Sequence, residues 1–174
     1  FYQTQLVVKI LIYLRTLNNY NRNVFAWSMY DFANSAFTTL VVTFIYATYF
    51  TEAIAENKIV GTALWSRAVS LTAIIVAIAS PIMGAIADRT NLRKAFLTIM
   101  TYVSVFGSIM LYFAMPGEVA KALTWFVIAN IGFELGGVFY NAYLPEIAPE
   151  NKIGRVSGYG WSLGYLGGLI SLAV

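Results

Sequence analysis

One feature constrains this chain more than any other. Long apolar stretches recur along it, separated by short breaks rich in charge, glycine or proline. A helix of about 20 apolar residues crosses the hydrocarbon core of a bilayer. In that medium a helix is one of few structures that satisfies every backbone polar group internally. Five stretches qualify, over residues 24–50, 63–87, 95–114, 123–144 and 156–174. The expected fold is therefore an all-α membrane protein, a partial transmembrane bundle over residues 24–174. Composition agrees, since 59% of residues are hydrophobic and 11% are charged. A soluble domain carries about a quarter charged residues, and a surplus of apolar surface this large has to face lipid.

The breaks have a chemical logic. Residues 51–62 carry Glu52, Glu56, Lys58 and Gly61, and residues 88–94 form a charged turn. Met115-Pro116-Gly117-Glu118 precedes helix four, and Pro145 and Pro149 end it, because the residue before a proline is pushed out of the α region. Residues 1–23 read as a cytoplasmic leader or interfacial helix: their apolar part, 5–17, is too short to span and holds Lys9 and Arg15. The chain is expected to be a fragment of a longer protein.

Lysine and arginine set the orientation. Lys9, Arg15, Arg22, Arg89, Arg93, Lys94, Lys152 and Arg155 fall on one side, whereas Lys58, Arg67 and Lys121 fall on the other. The N-terminus is expected in the cytoplasm. The net charge of +3 belongs to these loops beside apolar runs, so the lipid bilayer, and not nucleic acid, is the expected partner. With no Cys and no His, disulfides, thiolate metal sites and histidine chemistry are excluded. No phosphate-binding Gly-x-x-x-x-Gly-Lys-Ser/Thr loop occurs. No metal, no cofactor and no enzymatic activity are expected, and only carboxylates remain to carry a proton near neutral pH.

Two carboxylates stand inside helices. Glu134 lies near the middle of helix four, where a lone charge is costly and is usually functional. Asn130, Glu134, Gly137 and Asn141 fall at helical spacing on one face. Substrate binding or proton transfer at Glu134 stands against a carboxyl hydrogen-bonded to a neighbouring helix. Asp31, with Ser35 and Thr38 on one face and Asn34 beside them, reads equally as part of a cytoplasmic vestibule or as an N-cap at the interface. In helix two, Ser66, Ser70, Ala73, Ala77, Ser80 and Gly84 make a small-residue packing stripe, with Pro81 as a kink. In helix five, Gly160, Gly164 and Gly168 read as close packing or as a hinge. Arg155 reads as a membrane-surface anchor or a partner for Asp88 or Glu146. Trp27, Trp65, Trp125 and Tyr49 read as interface anchors, and Tyr140, Tyr143 and Tyr159 as a possible aromatic box.

The turn after helix two reads Gly84-Ala-Ile-Ala-Asp88-Arg89-Thr-Asn91-Leu-Arg93-Lys94. It resembles the cytoplasmic signature loop of the major facilitator superfamily, which also follows the second helix, with Asn91 where the family usually has glycine. The resemblance implies that Gly84, Asp88, Arg89, Arg93 and Lys94 form a conformational latch and not a substrate site. Trp27-Ser-Met-Tyr30-Asp31-Phe32-Ala33-Asn34-Ser35-Ala36-Phe37, the run from Phe139 to Pro149, and the glycines after Ile153 look like the vacuole-effluxer branch, relatives of the fungal vacuolar amino-acid exporter. That likeness implies a twelve-helix transporter, of which this chain would be five helices of the six-helix N-terminal half, with the C-terminal half of the same chain as its partner. It also implies a small-molecule substrate, amino acids first, moved outward by alternating access. A bacterial cell membrane is the expected location in preference to a vacuolar one. A non-transporting scaffold or receptor with the same fold is the alternative; an intramembrane enzyme lacks the residues it would need.

Overall fold

The computed structural model describes residues 20–90 and 92–173. Residues 1–19 of the expected leader, Asn91 and Val174 lie outside the described residues. Five long helices follow in order: α1 (Tyr20–Ile54), α2 (Lys58–Thr90), α3 (Arg93–Leu111), α4 (Val119–Ala142) and α5 (Ile153–Ala173). A short helical turn, Leu144–Ile147, and a 3-10 turn, Glu150–Lys152, join α4 to α5. No strand occurs among the described residues. The helices Tyr20–Ile54, Lys58–Thr90, Arg93–Leu111 and Val119–Ile147 are long and apolar enough to cross a membrane. α5 is helical throughout its 21 residues, with glycine and serine diluting its apolar content.

The helices run further than hydropathy suggests. The expected break at 51–62 shrinks to Ala55–Asn57, because Thr51–Ile54 close a π-helical turn of α1 and Lys58 opens α2. The Asn57 side chain accepts a bond from Val60 N at 3.0 Å and caps α2, and Lys58 pairs with Glu52 at 2.6 Å across the turn. Charged residues taken as loop thus occupy helix ends, where their heads reach past the hydrocarbon. Likewise Asp88, Arg89 and Thr90 belong to α2. α1 is continuous from Tyr20, so Asp31 sits eleven residues inside a helix and the N-cap reading is overturned. Within α1, Phe37–Phe44 also winds as π-helix, a form that often marks functional segments.

α4 is the central helix. It packs along α3 and against α2, and buries Ala122, Phe126, Ala129, Gly132, Gly136 and Phe139. Glycine allows the approach to α3: a Cβ on Gly132 would stand 2.7 Å from Ser104 N and 2.8 Å from Met100 O, and one on Gly107 would stand 2.9 Å from Ala129 Cα. Two apolar clusters sit at opposite ends. One gathers Phe50, Ile54, Trp65, Leu111, Ala122 and Phe126, with the Trp65 and Phe126 rings 3.9 Å apart. The other gathers Val24, Trp27, Tyr140, Ala148 and Val156. Trp27 and Trp65 are therefore buried in the two clusters and are not interface anchors; each ring finds more contact between helices than at the headgroups.

The expected packing stripe of α2 is largely uncovered within this chain. Ser66, Ser70, Ala73 and Ala77 are exposed, and the buried positions are Gly61, Trp65, Ala68, Thr72 and Ala87. Bulk explains the choice, since Trp65 fills the gap that α1 and α4 leave. At the α3–α4 turn, Gly117 takes φ +86°, a conformation that favours glycine, and its N–H donates to Ile54 O at 3.1 Å. Glu118 accepts from Met115 N at 2.8 Å and from Lys121 Nζ at 2.9 Å. The Met115 N–H, and then Lys121, hold its carboxyl below the usual carboxylate range. Its contribution to the turn is present at neutral pH and is lost only as pH falls through that lowered value.

Gly132→Ala is expected to destabilise the bundle by about 1–3 kcal/mol, because the added methyl meets backbone and not a flexible side chain. A lowered midpoint of thermal unfolding in detergent checks this; an unchanged midpoint would show that α3 and α4 separate freely.

Candidate functional site

The polar residues of α1 meet α5 along a seam built by glycine. A Cβ on Gly160 would stand 2.5 Å from Trp27 Cζ3, one on Gly164 2.5 Å from Asp31 Oδ2 and 2.9 Å from Ser35 Oγ, and one on Gly168 2.6 Å from Thr39 Oγ1. On Gly167 it would overlap the Phe32 carbonyl. Gly160, Gly164, Gly167 and Gly168 are therefore contact positions, whereas Gly154 and Gly158 have open space where a Cβ would stand. Asp31 is half-buried, and its carboxylate lies against α5 at Gly164, while Asn34 lines a different groove, between α1 and α3, of about 370 Å³.

Beside the Asp31 seam lies an aromatic stack. Trp27 and Tyr140 are parallel, 4.3 Å apart at 7°, and Trp27 Nε1 donates to the Tyr140 carbonyl at 3.0 Å. Tyr30 stacks on the other side at 5.2 Å. Its hydroxyl meets Thr101 Oγ1 at 2.9 Å; because Thr101 donates to Leu97 O at 2.8 Å, Tyr30 is the donor. The Tyr140 hydroxyl and the Ser28 hydroxyl are buried without a partner among the described residues. The expected box of Tyr140, Tyr143 and Tyr159 does not assemble, since Tyr140 is buried in this stack and Tyr159 is 52% exposed. The stack was missed as a unit. Trp27 and Tyr30 are three apart and share a helix face, but only the fold brings Tyr140 between them.

On α4 the expected stripe divides. Asn130 is 4% exposed and belongs to the interior, whereas Glu134 and Asn141 are exposed. Gly137 between them has open space where a Cβ would stand. Glu134 is in no ion pair among the described residues. Thus Glu134 and Asn141 share an open side of α4, and Asp31, Asn34 and Asn130 are directed elsewhere.

The basic turn forms an ionic corner. Arg93, at the start of α3, donates through Nε to Asp88 Oδ1 at 2.8 Å and through Nη1 to Glu146 Oε1. One guanidinium so ties the end of α2 to the segment after α4. Arg93 fills the place weighed for Arg155, which joins no ion pair among the described residues. Its planar fork suits two acids at once. Asp88 and Glu146 side chains are 60% and 51% exposed, so these contacts contribute little stability. Arg89 and Lys94 are exposed and unpaired among the described residues. Gly84 has open space around it.

Long apolar helices in close glycine contact, an unpaired mid-helix carboxylate and a charged corner at one end define a multi-pass helical membrane protein. The Major Facilitator Superfamily profile matches residues 7–172, and the chain belongs to that superfamily. It is 32% identical, over 156 residues, to the uncharacterized MFS-type transporter YxiO of Bacillus subtilis (strain 168), covering 86% of this chain and 36% of that protein. It is 30% identical, over 149 residues, to an uncharacterized protein of Aquifex aeolicus (strain VF5), covering 84% of this chain and 36% of that one. The chain thus spans about a third of the length of these relatives. No solved structure matches it.

The two corners should respond differently to substitution. Trp27→Ala is expected to cost about 3–5 kcal/mol, as loss of a packed core aromatic does. Arg93→Gln is expected to lower the unfolding midpoint far less, because its ion pairs are open to solvent. Thermal unfolding of the two variants in detergent checks the contrast, and equal losses would contradict it.

Proposed function

We propose that this chain is the N-terminal bundle of a secondary transporter that moves a small organic solute by alternating access, with Glu134 on the wall of its central pathway. The observation that carries this reading is Glu134 itself: a carboxylate deep in an apolar helix, exposed, on the same open side as Asn141 and without a partner among the described residues. Hydrocarbon does not tolerate such a group, so that side of α4 faces water, substrate or the rest of the protein. A carboxylate there binds a substrate amine or carries a proton. Asp31, pressed against Gly164, is a second acid that can sense movement of α5 against α1, and the glycines of that seam are where such sliding would occur.

Amino acids are the proposed substrate class and export the proposed direction, on the likeness of residues 24–174 to the vacuole-effluxer branch. The lysine and arginine asymmetry supports a cytoplasmic N-terminus, and the bacterial relatives support a bacterial cell membrane. In this reading the corner of Asp88, Arg93 and Glu146, with Gly84, Arg89 and Lys94 around it, latches the cytoplasmic side. Its exposed, low-energy contacts suit a joint that opens in every cycle.

The test uses the intact protein in proteoliposomes. Counterflow of a labelled amino-acid mixture is expected to saturate, to respond to a pH gradient, and to lose at least about tenfold in rate or its pH response in Glu134→Gln, the loss expected for a positioned proton-transfer group. Unchanged counterflow and unchanged pH dependence in folded Glu134→Gln would remove Glu134 from the pathway.

A further inference from the structure

Between the start of α1 and the start of α5 lies a groove of about 460 Å³, at the end of the bundle that carries the basic loops. Two cations stand on it, Lys152 and Arg155. They are three residues apart, at the opening turn of α5. Neither joins an ion pair among the described residues, and no acidic side chain lines the groove. Lys152 Nζ rests 5.6 Å from the centre of the Tyr20 ring, which holds it at the groove's edge.

This placement is electrostatically unfavourable as it stands. A helix N-terminus carries about half a positive charge and favours anions. Here two cations gather at that end, and Glu150, the acid in the turn before α5, does not line the groove. A second observation points into the same place. Ser28 lines the groove and is 2% exposed, and its hydroxyl has no partner among the described residues. A buried hydroxyl left unpaired is destabilising, because its hydration is lost with nothing in return. An acceptor seated in the groove would relieve both defects. Asn21 and Ser162 add polar atoms to the lining, and Val24, Leu163 and Phe25, which is 64% exposed, give the groove an apolar side.

We propose that this groove binds the phosphate headgroup of an anionic phospholipid from the adjacent leaflet. Arg155 and Lys152 hold the phosphate oxygens, Ser28 donates its hydroxyl to the ligand, and an acyl chain lies along Phe25 and Leu163. The apolar wall beside the cations favours a lipid over a free anion, which needs no such surface. A lipid seated there bridges α1 and α5 at the end of the seam formed by Gly160, Gly164 and Gly168, and so sets how tightly the two helices close.

The test is thermal unfolding of the intact protein in detergent micelles with added phosphatidylglycerol, phosphatidylcholine of the same chains, or inorganic phosphate. Phosphatidylglycerol is expected to raise the midpoint in a saturable way, while phosphatidylcholine and millimolar phosphate do not. Arg155→Gln and Lys152→Gln are each expected to weaken the apparent lipid affinity about fivefold, Ser28→Ala to weaken it less, and Arg155→Lys to retain most of it. Equal shifts from the two lipids, or an undiminished shift in the double Gln variant, would overturn the proposal. An equal shift from phosphate alone would overturn the lipid as the source and leave a soluble anion. Should the double variant not fold, the pair Arg155→Gln and Arg155→Lys decides the same question. Micelles have no sidedness and the assay measures no transport, so its outcome is independent of the role of Glu134.

Discussion

Helices in hydrocarbon gain little by burying apolar side chains against one another, because lipid tails are equally apolar. What holds this bundle together is close backbone approach, and glycine decides where that happens. Gly107 and Gly132 let α3 lie on α4, Gly61 lets α2 lie on the end of α1, and Gly160, Gly164, Gly167 and Gly168 let α5 lie on α1. These contacts admit a backbone atom, a polar side chain or, at Gly160, the Trp27 ring into space where a methyl group would not fit. Buried aromatics gather at the two ends, in the clusters around Trp65 and Trp27.

This arrangement distributes the polar residues. Where glycine draws helices together, the polar groups of the partner are captured in the seam, as Asp31, Ser35 and Thr39 are against α5. Hydroxyls in this setting return to their own helix, as Thr39 does to Ser35 O at 2.9 Å and Ser108 to Ser104 O at 2.7 Å, so that they present an apolar face to neighbours. A carboxylate has no proton to donate when ionised and cannot be satisfied in that way. Glu134, exposed on α4, is therefore left without such a partner among the described residues.

The corner of Asp88, Arg93 and Glu146 differs in kind from the glycine seams. It joins three segments through one guanidinium with two exposed carboxylates, contacts that are strong in direction and weak in energy. The seams depend on steric fit, which sets how closely two helices approach, whereas the corner depends on the geometry of one charged side chain.

Much of the fold was legible in the sequence, because the bilayer imposes a length and a composition on every span. The number of helices, their order and their apolar character follow from that alone, as does Asp88 lying beside a turn and a basic pair. Helix ends were not legible: Glu52, Lys58, Asp88 and Arg89 look like loop residues, yet helices extend past the hydrocarbon and their charged ends remain helical. Facing was not legible either. Ser66, Ser70, Ala73 and Ala77 share a helix face as well as any packing stripe does, and Asn130, Glu134 and Asn141 fall at one helical spacing, yet the first set is exposed and the second is divided. Periodicity says which residues share a side of a helix, and in a medium apolar on every side it does not say what that side meets. The sequence by itself determined that this is a helical membrane bundle with a carboxylate deep in its fourth helix. Only the tertiary structure decided that Arg93 and not Arg155 holds the corner, that Trp27 is buried on Tyr140, and that Glu134 is left open, because these depend on which helices glycine allows to touch.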